Sequence, residues 1–110
     1  MNEQNPSINR CVALINPDTP FEIPSESYVR IANFSILSDD ESFHGSRVTI
    51  MANVKAQTKD KREIDMDVAI SSFIIGNDYD QPCNIIISPS DKCTLRIIGA
   101  NIPIQMIYYI

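Results

Sequence analysis

The chain has 110 residues, enough for one domain with a single modest core. It is 44% hydrophobic and has no low-complexity tract, so a folded domain is expected rather than a disordered segment. Fourteen acids against nine bases leave a net charge of −5, which argues against nucleic acid as a direct partner and fits a basic protein partner or simple solubility. No run approaches the roughly 18 apolar residues of a membrane-spanning helix, and MNEQNPSINR contains no apolar signal-peptide segment. Three cysteines without a secretion signal point to a reduced intracellular compartment and three free thiols.

Residues 1–9 read as a flexible arm, and residues 10–110 as the folded domain. CVALI, residues 11–15, is a short apolar strand closed by the turn Asn16-Pro17-Asp18. Pro20 and Pro24 bracket an extended Phe21-Glu22-Ile23. Residues 28–37 alternate, with Val29, Ile31, Asn33 and Ser35 on one face and Tyr28, Arg30, Ala32, Phe34 and Ile36 on the other. A polar, acidic loop follows over residues 38–46.

Residues 47–54 alternate cleanly, with Val48, Ile50, Ala52 and Val54 inward. The basic loop KAQTKDKR leads into residues 63–70, where Ile64, Met66, Val68 and Ile70 face in and Glu63, Asp65 and Asp67 face out. Residues 73–75 make a short apolar step, and residues 76–82 a loop rich in turn formers. Residues 83–88 are expected to pair with residues 93–98 through the loop PSDK, which sets Ser88 opposite Cys93 and Cys83 opposite Ile98.

The last strand differs from the others. Ile102, Ile104, Met106, Tyr108 and Ile110 point one way, and Ile107 and Tyr109 the other. A strand half in water alternates apolar with polar; this one is apolar on both faces, so both should be covered, one by the core and one by something outside it. Pro103 removes a ladder donor, which predicts an edge or a bulge there. Seven or eight strands with turn signals about every 8–12 residues, and no helical period, give an all-β sandwich or jelly roll.

An enzyme site is hard to assemble from these residues. The one histidine, His44, sits in the acidic loop away from any cysteine or serine motif, and is expected to be solvated. The glycines at 45, 76 and 99 make no phosphate loop, and the cysteines at 11, 83 and 93 lack the spacing of a zinc site. Glu63, Asp65 and Asp67 on one strand face suit either a divalent cation or solvent, with solvent the expectation. No cofactor and no metal is expected. The acidic loops at Asp39, Asp40, Glu41 and at Asp78, Asp80 suit a basic partner or mere solubility.

Several ordered pieces resemble the nucleoplasmin-like core domain, found in nucleoplasmins and at the amino terminus of nuclear FKBP-type immunophilin prolyl isomerases. ALINPDTPF resembles that family's opening strand, turn and proline, and VRIANFSI its second strand. SDDES stands where the family keeps a short acidic tract. TLRIIGANIPIQMIYYI is similar to the immunophilin-type ending, an apolar strand, a Gly-containing turn and an apolar strand closing on Tyr-Tyr. The similarity covers about residues 11–110.

The resemblance implies an eight-stranded jelly-roll sandwich that forms a ring-shaped pentamer, in some members paired into a decamer. It implies a nuclear histone chaperone with no enzymatic activity of its own, since no isomerase domain is in this sequence. Under it, Asp39, Asp40, Glu41, Asp78 and Asp80 touch core histones, while Ile102, Ile104, Met106, Ile107, Tyr108 and Tyr109 divide between core and subunit interface. The alternative is a self-assembling jelly-roll module with no histone specificity.

Overall fold

Branched and aromatic residues at alternate positions favour the pleated backbone, and they build almost the whole molecule. The computed structural model describes residues 9–37 and 40–110. Residues 1–8 of the expected arm, and Asp39, lie outside the described residues. Among the described residues the strands are β1 (Arg10–Ile15), β2 (Phe21–Glu22), β3 (Val29–Ile36), β4 (Arg47–Gln57), β5 (Glu63–Ile74), β6 (Asp80–Ile87), β7 (Lys92–Gly99) and β8 (Ile104–Tyr109). A single 3-10 turn, Glu41–Phe43, interrupts the acidic loop.

The strands form two four-stranded antiparallel sheets, ordered β1-β8-β3-β6 and β2-β7-β4-β5. Their inner faces share one apolar core. Ile15, Val29, Ile31, Phe34, Ile104 and Met106 of the first sheet meet Val48, Ile50, Phe73 and Leu95 of the second, all fully buried. Phe21 and Tyr108 meet edge to face across the layers, with ring centroids 6.4 Å apart. The all-β sandwich is therefore observed.

Four details depart from the sequence reading, each for a physical reason. First, β3 does not keep one alternation. A bulge between Ile31 and Asn33 inserts Ala32 relative to β8, so Val29 and Ile31 face in before it and Phe34 and Ile36 after it. One extra residue inverts the phase of everything downstream. Second, β6 and β7 are not a hairpin. The Ser88–Asp91 turn, with Asp91 N–H donating to Ser88 O at 3.0 Å, carries the chain from one sheet to the other. Ile87 and Cys93 then enter the core from opposite layers, so Ser88–Cys93 and Cys83–Ile98 are not pairs.

Third, β8 is no edge. It lies between β1 and β3, and Pro103 precedes its first paired residue, so the missing donor falls outside the ladder. Pro82 instead lies within β6, an edge strand. Fourth, Asn9, expected in the arm, is tied to Ile110 by two backbone hydrogen bonds of 3.0 and 3.1 Å.

The β7–β8 turn depends on Gly99. Its φ is +99°, and a Cβ there would stand 2.3 Å from the Arg47 carbonyl oxygen, the same oxygen that accepts from Ala100 N–H at 3.0 Å. Gly45 also has positive φ, +87°, but open space around it. Gly99→Ala should therefore cost at least about 2 kcal/mol, combining strain with a backbone clash. Gly45→Ala should cost only about 1 kcal/mol. Denaturant unfolding of both variants checks the difference; equal losses would contradict it.

Candidate functional site

Three surfaces of the sandwich carry the residues that the sequence marked. The first is the outer face of the β1-β8-β3-β6 sheet. In β8 the side chains of Ile104, Met106 and Tyr108 turn into the core, joined by Ile102 just before the strand. Ile107 and Tyr109 turn outward and are only half-buried. Val12 stands opposite Ile107, and Leu14 follows two residues on in β1; they are 55% and 47% exposed. Arg30 places its guanidinium 4.6 Å from the Tyr109 ring centroid, a cation–π contact that caps one end of this apolar face. Val12 and Leu14 belong to the candidate surface although the sequence reading passed over them. The signal was present: CVALI has no polar residue on either face.

The second surface is one end of the sandwich. The loop holding Asp40 and Glu41 and the β5–β6 turn holding Asp78 come together, although about 35 residues separate them in the chain. Gly45 N–H donates to Ile75 O at 2.8 Å, and Ile75 N–H to Ser46 O at 2.9 Å. The His44 ring lies over Gly76, close enough that a Cβ there would meet the ring at 3.1 Å and the ring would have to shift. His44 is thus a packing residue between the two loops as well as an exposed one. Asp18, on the β1–β2 turn, lies at the same end.

Three of the acids at this end, Asp40, Asp78 and Asp80, accept hydrogen bonds within the chain. Asp40 accepts from Ser42 N–H at 3.0 Å and Ser42 Oγ–H at 2.8 Å, and these bonds hold its carboxyl below the usual range, with His44 adding to the effect. Asp78 Oδ2 accepts from Ile74 N–H at 2.8 Å, and Asp80 Oδ1 from Asn33 Nδ2 at 2.6 Å. Asp40, Glu41 and Asp80 remain exposed, so each keeps oxygen surface for a partner.

The third surface is the outer face of the second sheet, where Glu63, Asp65 and Asp67 project from β5. Arg96 of β7 reaches across β4 to Asp67, at 3.1 Å and 3.5 Å, and Asn53 donates to both Asp67 and Asp65. These donors, Arg96 first, hold the Asp67 carboxyl below its ordinary pKa. Among the described residues no group of three His, Cys, Asp or Glu side chains is placed to hold a metal ion. The cysteines are all free; burial pushes the Cys93 thiol up, and does the same for Cys83 against an opposing influence of Arg30. No helix among the described residues is long and apolar enough to cross a membrane.

Compared with protein-family models and with curated proteins, the chain matches none.

Asp67 gives the acid limb of stability a direction. Its folded pKa is lowered, so the native state resists protonation more than the unfolded chain does. The contribution is complete above the ordinary carboxylate pKa and disappears as pH falls through the folded value. Melting temperatures from pH 7 down to pH 2.5 should fall less steeply for Asp67→Asn than for the unaltered chain. Parallel curves would show that the Arg96 contact contributes nothing.

Proposed function

We propose that this chain is the core domain of a nucleoplasmin-like histone chaperone, a jelly roll whose copies close into a ring of five. The carrying observation is the apolar outer face of β1 and β8, where Val12, Leu14, Ile107 and Tyr109 are uncovered on a sheet whose other face already fills the core. A central strand apolar on both sides needs a second layer, and a neighbouring copy supplies one.

Three further points support the reading. Strand orders 1-8-3-6 and 2-7-4-5 fit the interleaved connectivity of a jelly roll. Acids at 18, 40, 41, 78 and 80 share one end, while Lys59, Lys61 and Arg62 occupy the β4–β5 turn at the other. The family resemblance assigns its histone contacts to the same loops. On this reading the acidic end screens basic histones in a nuclear setting, through long-range attraction that salt weakens. Neither catalysis nor a cofactor enters the mechanism.

One observation favours a self-assembling module without histone specificity. Asp40 and Asp78 each satisfy a local hydrogen bond, as they would if their purpose were to cap turns.

Two sets of variants separate these functions. Ile104→Asp buries an unpaired charge at a cost of several kcal/mol and should unfold the chain. Ile107→Asp, on the outer face, should leave the fold intact by circular dichroism and reduce the solution mass. An unchanged mass would remove this face from the interface. Neutralising Asp40, Glu41, Asp78 and Asp80 together should weaken binding of purified histone dimers by about tenfold or more at low salt, with the assembly unchanged. Equal affinity would favour the module without histone specificity.

A further inference from the structure

The two sheets do not cover one another along the side bounded by β5 and β6. Near the acidic end these strands are drawn together: Ser71 Oγ–H donates to Gln81 Oε1 at 3.1 Å, and Phe73 is fully buried. Beyond that point Val68 and Ile70 of β5 and Ile85, Ile86 and Ile87 of β6 line one open groove rather than closing on each other. Val68 stands opposite Ala52 and Met66 opposite Val54, so both turn toward the core side, yet they are 42% and 47% exposed. Val68, with Ala52, Val54, Ile70, Ile85 and Ile86, borders an open apolar groove of about 200 Å³, whose one charged lining residue is Asp91.

The strand that rims this groove is also a free edge. Among the described residues β5 pairs only with β4, and it runs twelve residues with no proline. Natural edges of this length are normally shortened, covered or blocked by charge. Here the charge is of one sign. Glu63 and Asp65 project from the outer face, Glu63 opposite the neutral Gln57, and Asp65 opposite Lys55 and bonded to Asn53. Asp67 is already taken by Arg96. A second copy pairing β5 against β5 would set these acids against each other, so the edge disfavours its own kind.

We propose that the β5 edge and the adjoining groove form a docking site for an extended polypeptide in which apolar and basic residues alternate. The partner adds as an antiparallel fifth strand to the β2-β7-β4-β5 sheet, taking main-chain hydrogen bonds from β5. Its apolar side chains enter the groove over Val68 and Val54. Its basic side chains, on the opposite face at the same spacing of about 6.7 Å per two residues, meet Glu63 and Asp65. The site is separate from the acidic end and from the β1–β8 face, and does not depend on either.

The test uses the full chain and fluorescein-labelled synthetic decapeptides, read by fluorescence anisotropy. The probes are alternating lysine–valine, the same composition arranged in two blocks, and alternating glutamate–valine. Two more alternating lysine–valine peptides are N-methylated, one at every valine and one at every lysine, because each blocks a single edge of an extended strand. The alternating basic peptide should bind about tenfold or more tighter than the block peptide, the acidic peptide should not bind, and one N-methylated form but not the other should lose binding. Val68→Lys, at a half-exposed position, should abolish binding while the melting temperature is retained. Equal binding of alternating and block peptides, or binding of both N-methylated forms, would overturn the proposal; both tests use the unaltered protein. So would peptide binding that survives Val68→Lys. A Val68→Lys variant of reduced solution mass, with no peptide bound by the unaltered chain, would mean that a second copy fills the groove, and the proposal would fail.

Discussion

The structure depends on one strand that has two apolar faces. β8 lies between β1 and β3, and its inward residues Ile104, Met106 and Tyr108 sit at the centre of the only layer-to-layer core among the described residues. That placement fixes where Ile107 and Tyr109 go: onto the opposite surface, beside Val12 and Leu14 of the neighbouring strand. A sandwich of two sheets has no third layer with which to cover them. The Arg30 guanidinium over Tyr109 partly masks this face, and it masks the ring rather than the aliphatic row. Burying a half-exposed valine or leucine yields about 1 kcal/mol or more each, so a repeated patch of this kind offers appreciable association energy.

Charge is distributed with the same economy. The outer face of the second sheet binds its own acids where they are dense, as Arg96 and Asn53 do for Asp67 and Asp65. At the acidic end the carboxylates instead organise the loops that carry them: Asp40 caps the 3-10 turn and Asp78 the end of β5. Capping leaves lone pairs and exposed surface, so structure and attraction for a basic partner are compatible in the same residue. The backbone bonds between Gly45, Ser46 and Ile75, with His44 packed on Gly76, hold the two loops as one unit.

Much of the fold was legible because period two is a direct reading of the pleat. Val48, Ile50, Ala52 and Val54 were placed correctly, as were the two faces of β8. What failed was what alternation does not encode. The bulge at Ala32 inverts the phase of β3 with no residue that announces it, and a second bulge beside Ile70 does so in β5. The loop PSDK has the composition of a hairpin turn, yet the strands on either side pair with β3 and β4, and that choice belongs to the whole core. The direction of Met66 and Val68 was legible; their exposure was not, because it depends on where the opposite sheet ends. The meeting of Asp40's loop with Asp78's, and of Arg96 with Asp67 across 29 residues, is likewise tertiary.

Assembly through the β1–β8 face requires that this face be covered in solution, and light scattering after size exclusion measures that directly. At low salt and at about 1 M salt, where charge attraction is screened to within a few ångströms, an apolar interface should persist. The account requires a species of about five chain masses at both salt concentrations. A monomer at both would contradict it, leaving Val12, Leu14, Ile107 and Tyr109 as bare surface and removing the ring on which the chaperone reading stands.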